Sequence, residues 1–230
     1  MSTSGTYTFS PAEGTLYLNA FSRIGIRRTE LTPQHLEDAK IESNLLQAAF
    51  SGDGITLWTV DTQTVSLAPG TSTYSVPQNT VQILEVVIQT TSYNRLIFPF
   101  SRTDYLSLSN PNMQGFPTSW WWDRAPANAT TSIVLWPTPD SSQTYTMEYT
   151  RYRQIQDVVP ANGGTLELPY LWLDAFTAGL AYRLSRIYAP QLEDRRKADA
   201  TEAYGIASKV YAEQVPIFVT PGLSTYYRLN

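Results

Sequence analysis

The segment from Leu168 to Gln214 constrains the fold more than any other, because its apolar residues fit only a pair of buried helices. Pro169 stands where a helix can start, since a proline at the first helical position gives up an N–H that has no partner there. From it Leu171, Ala175, Ala178 and Tyr182 recur at helical spacing, and Trp172, Phe176, Leu180 and Leu184 fill the adjoining stripe. A helix apolar over so much of its girth has to lie between other elements. Tyr188-Ala189-Pro190 breaks it, and Glu193 and Asp194 open a second helix with negative charge at its positive dipole end. There Ala200, Ala203, Tyr204, Ala207, Val210 and Tyr211 make one stripe, with Arg195, Arg196, Lys197, Asp199, Glu202 and Lys209 mostly off it. Such a hairpin carries more apolar surface than it can cover alone.

The other chain end has matching material. Leu16, Tyr17, Ala20, Phe21 and Ile24 keep a helical period from Pro11 to about Ile26. A second helix starts with Thr32 as N-cap and Pro33 in its first position, then runs through Ala39, Leu46 and Ala49. Ser51-Gly52-Asp53-Gly54 stops it. Between the two helix pairs the pattern changes to short β-type runs: Ile55–Val60, Thr64–Leu67, Thr73–Val76, Val81–Gln89, Leu96–Phe98, Thr131–Trp136 and Thr144–Tyr152. Their spacing, with Pro and Gly in the turns, predicts an antiparallel sandwich or barrel. Asn110 to Asn128, rich in Pro, Gly and Trp, reads as a long ordered loop.

The fold class is therefore α+β. Both chain ends form a four-helix bundle (1–54 and 158–214), an antiparallel β-sandwich or barrel is inserted at 55–157, and an extended C-terminal arm follows at 215–230. A content of 42% hydrophobic and 16% charged residues marks a folded chain, not a disordered one. The absence of cysteine excludes disulfides and thiolate metal sites. With a net charge of −4, nothing marks a general nucleic-acid binder. Neither a signal peptide nor a membrane-spanning run is legible, so the expectation is a soluble protein kept where it is translated.

No catalytic constellation is legible, and the chain reads as no enzyme, with no cofactor and no metal. The one histidine, His35, sits in a helix first turn, where an ordinary polar role outweighs catalysis. Gly163-Gly164 is not followed by the Lys-Ser/Thr and helix of a phosphate loop. Glu37-Asp38 and Glu193-Asp194 complement helix dipoles. Arg23, Arg27 and Arg28 could meet nucleic acid or only the dipole end of the first helix. Trp120, Trp121 and Trp122 read as a packing or tail-contact loop; the competing reading is the aromatic platform of a carbohydrate-binding module on a β-sandwich. That alternative needs the tryptophans exposed in a row and leaves four helices unexplained. A hydrolase would need a convergent acid–base set, and none is visible.

Four pieces in order carry a resemblance. The first runs from Ser66-Leu67-Ala68-Pro69-Gly70-Thr71 through Tyr74-Ser75-Val76-Pro77 and the Val81–Ile88 strand to Phe100-Ser101-Arg102-Thr103-Asp104-Tyr105. The second is Gly115-Phe116-Pro117 with Ile133-Val134-Leu135-Trp136-Pro137-Thr138-Pro139-Asp140, and the third is Tyr149-Thr150-Arg151-Tyr152. The last is Leu168-Pro169-Tyr170-Leu171-Trp172 with Ala178-Gly179-Leu180-Ala181. In this order, from about Leu31 to Val210, the chain resembles the head-to-tail adaptor proteins of short-tailed bacteriophages, also called tail tubular protein A.

The resemblance implies a structural virion protein of the phage neck, assembled in the bacterial host cytoplasm. It implies a homo-oligomer, usually a dodecameric ring, that joins the capsid portal protein to the tail nozzle or tube protein. Double-stranded DNA would pass through the ring without sequence-specific binding during ejection. Twelve copies at −4 would carry about −48 formal charges, which would repel DNA from the channel wall. Subunits are expected to meet through the helices, with Tyr204 and Tyr211 at the interface. The arm is expected to dock on the portal through Ile217, Phe218, Tyr226, Tyr227 and Leu229. It is too apolar for a solvating tail and too short of apolar residues for a core of its own.

Overall fold

The computed structural model describes residues 5, 9–53, 57–124, 130–158 and 164–211, the side chains of 210 and 211 excepted. Among the described residues are four long helices, α1 (Glu13–Arg23), α2 (Pro33–Gly52), α4 (Trp172–Tyr188) and α5 (Glu193–Tyr211), and a short one, α3 (Arg102–Leu106). Thr32 caps α2 as its sequence requires: Thr32 N–H donates to His35 Nδ1 at 3.1 Å and Pro33 takes the first helical position. His35 is thereby a capping residue, and its ring also packs on Tyr188 at 4.5 Å between centroids. Pro169 lies one turn earlier than the sequence suggests. Its carbonyl accepts Trp172 N–H at 2.9 Å, so it opens the turn that leads into α4.

The apolar girth of α4 decides the helical arrangement. Trp172, Phe176, Leu180 and Leu184 are all fully buried, each contributing about 1.5–3 kcal/mol. α1, α2 and α5 each pack against α4, which makes it the hub of the group. The four helices share one core with Trp58, Ile155 and Val158, residues of the segments that lead to and from the β region.

The β region has a second core of its own, built on Val86, Ile88, Ile97, Ile133, Leu135, Tyr145, Met147 and Tyr149. Its strands are β1 (Val60–Leu67), β2 (Thr73–Ser75), β3 (Thr80–Gln89), β4 (Asn94–Pro99), β5 (Gln114–Gly115), β6 (Ser119–Asp123), β7 (Ser132–Trp136), β8 (Thr138–Pro139) and β9 (Tyr145–Arg153). Seven of them form one sheet, in the order β1-β9-β3-β4-β6-β7-β2, while β5 and β8 pair separately. One curled sheet thus stands where an antiparallel sandwich or barrel was expected, and β4 pairs with β6 in parallel. The tryptophan segment is the reason. Ser119–Asp123 is a strand inside the presumed loop, and it joins β4 to β7. The runs Ile55–Val60 and Thr64–Leu67 also differ: Leu57–Thr59 is a 3-10 turn, Val60 begins β1 and Leu67 ends it.

Chain length forces the curl. β1 and β2 lie at opposite edges, about 29 Å apart if the sheet were flat, whereas residues 68–72 can span only about 20 Å. The edges are therefore drawn together at one end. Gly70, at φ 77°, makes the turn, and Tyr74 holds it: Ala68 N–H donates to the Tyr74 hydroxyl at 3.0 Å, which donates to Thr71 O at 2.9 Å.

Candidate interaction surfaces

Alternation along β6 separates the three tryptophans. Trp120 points into the sheet core, 5% exposed, with Nε1 donating to Ile97 O at 3.3 Å. Trp121 points outward and stacks on Tyr105 of α3, ring centroids 5.4 Å apart. Trp122 turns inward again, half-buried against the core, with the Arg124 guanidinium 4.3 Å from its ring centroid. They form no exposed row, so the geometry that a sugar platform needs is missing.

The outer face beside Trp121 is apolar. Leu96 and Phe98 alternate with buried Ile97 on β4, and Phe98 lies opposite Ser119 of β6. Phe98 is 67% exposed, and Leu106 of α3 is 70% exposed. As sequence, Leu96-Ile97-Phe98 is a plain strand. Its signal for a surface was there: an apolar residue at every position leaves one face with no core to enter.

On the helices, Tyr204 sits within its own subunit's packing. Its ring lies 5.4 Å from Trp172 and 5.7 Å from Phe50, and its hydroxyl donates to Asp53 Oδ2 at 2.6 Å. Burial, then the hydrogen bond to the Asp53 carboxylate and its negative charge, push the Tyr204 hydroxyl above its ordinary pKa. Phe50, Trp172 and Trp58 complete this aromatic layer. The Tyr211 side chain, and the arm residues Ile217, Phe218, Tyr226, Tyr227 and Leu229, lie outside the described residues. Exposed apolar side chains do occur elsewhere on the helices: Ile41 and Leu45 on successive turns of α2, and Ile206, 61% exposed, on α5. An open apolar groove of about 270 Å³ lies between α2 and α5 above α4.

Where the chain passes between helices and sheet, ion pairs fasten it. Arg151, almost fully buried on β9, donates to both carboxylate oxygens of Asp61 at 2.7 and 3.0 Å and to Thr80 Oγ1 at 2.6 Å. Arg153 pairs with Glu167, which also accepts Gln156 N–H at 3.0 Å. Partial burial pushes the Asp61 carboxyl up, but the hydrogen bond and charge of Arg151 outweigh it and hold it below the usual carboxylate range. The Arg153 hydrogen bond does the same for Glu167. Val158 N–H donates to Asn44 Oδ1 of α2 at 2.9 Å. Arg23, one of the cations of uncertain role, pairs with Asp174 at 2.7 Å across α1 and α4.

Among the described residues no group of three His, Cys, Asp or Glu side chains could hold a metal ion. No described helix is long and apolar enough to cross a membrane. What the molecule offers is surface: an apolar β4–α3–β6 face and a helical group with uncovered apolar side chains. No curated protein sequence matches the chain. Residues 16–216, which take in most of α1, the whole β region and α5, match the family described as SU10 adaptor protein. The chain belongs to that family and is a phage adaptor-like structural protein.

Proposed function

We propose that the chain is a head-to-tail adaptor of a short-tailed phage, forming a ring that joins the capsid portal to the tail and lets the genome pass. The match to an adaptor family across residues 16–216 carries this reading. Two surfaces support it. α2 is apolar on its outer side, at Ile41 and Leu45, as well as on the side that packs on α4, and a helix apolar on both sides calls for a further neighbour. The β4–α3–β6 face offers Phe98 and Leu106 for a second contact, away from the helical core. Subunits meet through the helices, and the arm reaches the portal.

The test is electron microscopy of the purified protein, alone and mixed with portal rings. Rings of adaptor stacked on the portal are expected, in the mixture if not alone. Monomers that never associate with portal rings would overturn the reading.

A further inference from the structure

The groove between α2 and α5 is built to receive an apolar segment. Its floor is Ala175 and Gly179 of α4, where the missing Cβ of Gly179 lets Leu46 settle close to the helix, and its walls are Leu46, Phe50 and Tyr204. Thr201 and Lys197 stand on the α5 side. Leu46, Phe50 and Tyr204 already shape this surface, so an occupant would only have to bring apolar side chains.

We infer that in the free subunit this groove seats the chain's own segment Val215-Pro216-Ile217-Phe218-Val219. The placement of α5 makes this possible. α5 ends at Tyr211, seven residues past Tyr204, about 10 Å along the helix axis. From Tyr211 an extended chain brings Ile217 within about 20 Å. That is enough to turn at Glu213-Gln214 and run back along the groove from Tyr204 towards Lys197. Pro216 has no N–H, so a backbone entering the groove hides one donor fewer. A tether this short gives an effective concentration of order millimolar, well above that of a second copy at micromolar protein. The occupant is therefore the same chain's segment. Ile217 and Phe218 are then covered until a partner competes for them.

The absence of native cysteine makes disulfide trapping clean. Thr201→Cys is combined with Ile217→Cys in one full-length variant and with Phe218→Cys in another. Thr201 is exposed, so its substitution leaves the helical core as it is. On mild oxidation at micromolar protein, a cross-linked monomer is expected. One of the two positions should react about tenfold faster than the other, because a seated extended strand turns successive side chains to opposite sides. Equal rates would mean a segment tethered but not seated, and would overturn the inference. Cross-linking between chains would overturn it in favour of a second copy's segment, and absence of any cross-link would overturn it outright. None of these outcomes bears on ring formation, which microscopy reads separately.

Discussion

The two δ-methyl groups of Leu46 on α2 lie 3.0 Å from the point a Cβ would occupy on Gly179 of α4. An added methyl there would force the buried Leu46 side chain to give by about a few tenths of an ångström. Gly205, also within a helix, meets nothing within 4 Å of its would-be Cβ. Alanine gains about 1 kcal/mol of helix propensity at either site. At Gly179 an overpacking penalty of about 1–3 kcal/mol opposes it. Gly205→Ala should raise the melting temperature by about 2–4 °C and Gly179→Ala should lower it; thermal unfolding of both variants checks the opposite signs.

Tyr204 and Ile206 are two residues apart on α5 and separate folding from assembly. Tyr204→Glu would place a carboxylate among Phe50, Trp172 and Asp53, at a cost of about 3 kcal/mol or more. Ile206→Glu changes an exposed side chain and should leave stability within about 0.5 kcal/mol. If the helices form the subunit interface, Ile206→Glu, particularly with Leu45→Glu, should give a folded monomer that fails to enter portal-bound rings. Normal incorporation of the double variant would place the interface elsewhere.

With Trp120 inside the core and Trp121 under Tyr105, host polysaccharide should leave tryptophan emission unchanged. Saturable quenching with a defined dissociation constant would revive the carbohydrate-binding reading.

Asp61 and Glu167 both have folded-state pKa values below their unfolded ones. Their contribution is therefore fully present above the unfolded values, about 3.9 and 4.3, and is lost as pH falls through the lower folded values. Stability should be level in this respect above about pH 5 and decline below it. Glu167→Gln should reduce that acid slope, as denaturant unfolding at a series of pH values would read. An unchanged slope would remove Glu167 from the account.

Ending the chain at Gln214 should leave the fold in place and shift melting by a few degrees at most, since a weakly seated segment adds about 1 kcal/mol. The truncated protein should nonetheless lose attachment to portal rings in co-sedimentation. Attachment at full strength would move the docking site to the helices.

Much of this architecture is legible because some residues have few alternatives. Thr32-Pro33 could only start a helix, Pro190 could only divide α4 from α5, and the apolar girth of Trp172–Tyr188 required a central position. The tryptophan strand was hidden because three identical side chains show no alternation, although the backbone turns them alternately in and out. α3 was short enough to escape periodicity, yet Ser101 and Asp104 carry its capping box, with Asp104 N–H donating to Ser101 Oγ at 3.1 Å. The partners of Tyr204 were out of reach, since Asp53 and Trp172 meet it only after α2 and α4 have packed.

The first residue of β1, Val60, lies directly opposite Tyr152 at the end of β9. Entry to and exit from the β region are thus neighbours in one ladder, with their Cα atoms about 5 Å apart. Everything between them could be lengthened, trimmed or exchanged for another fold with closely spaced ends, and the helices would still meet the same two chain positions. A lineage could in this way change what its sheet recognises without altering how its helices pack.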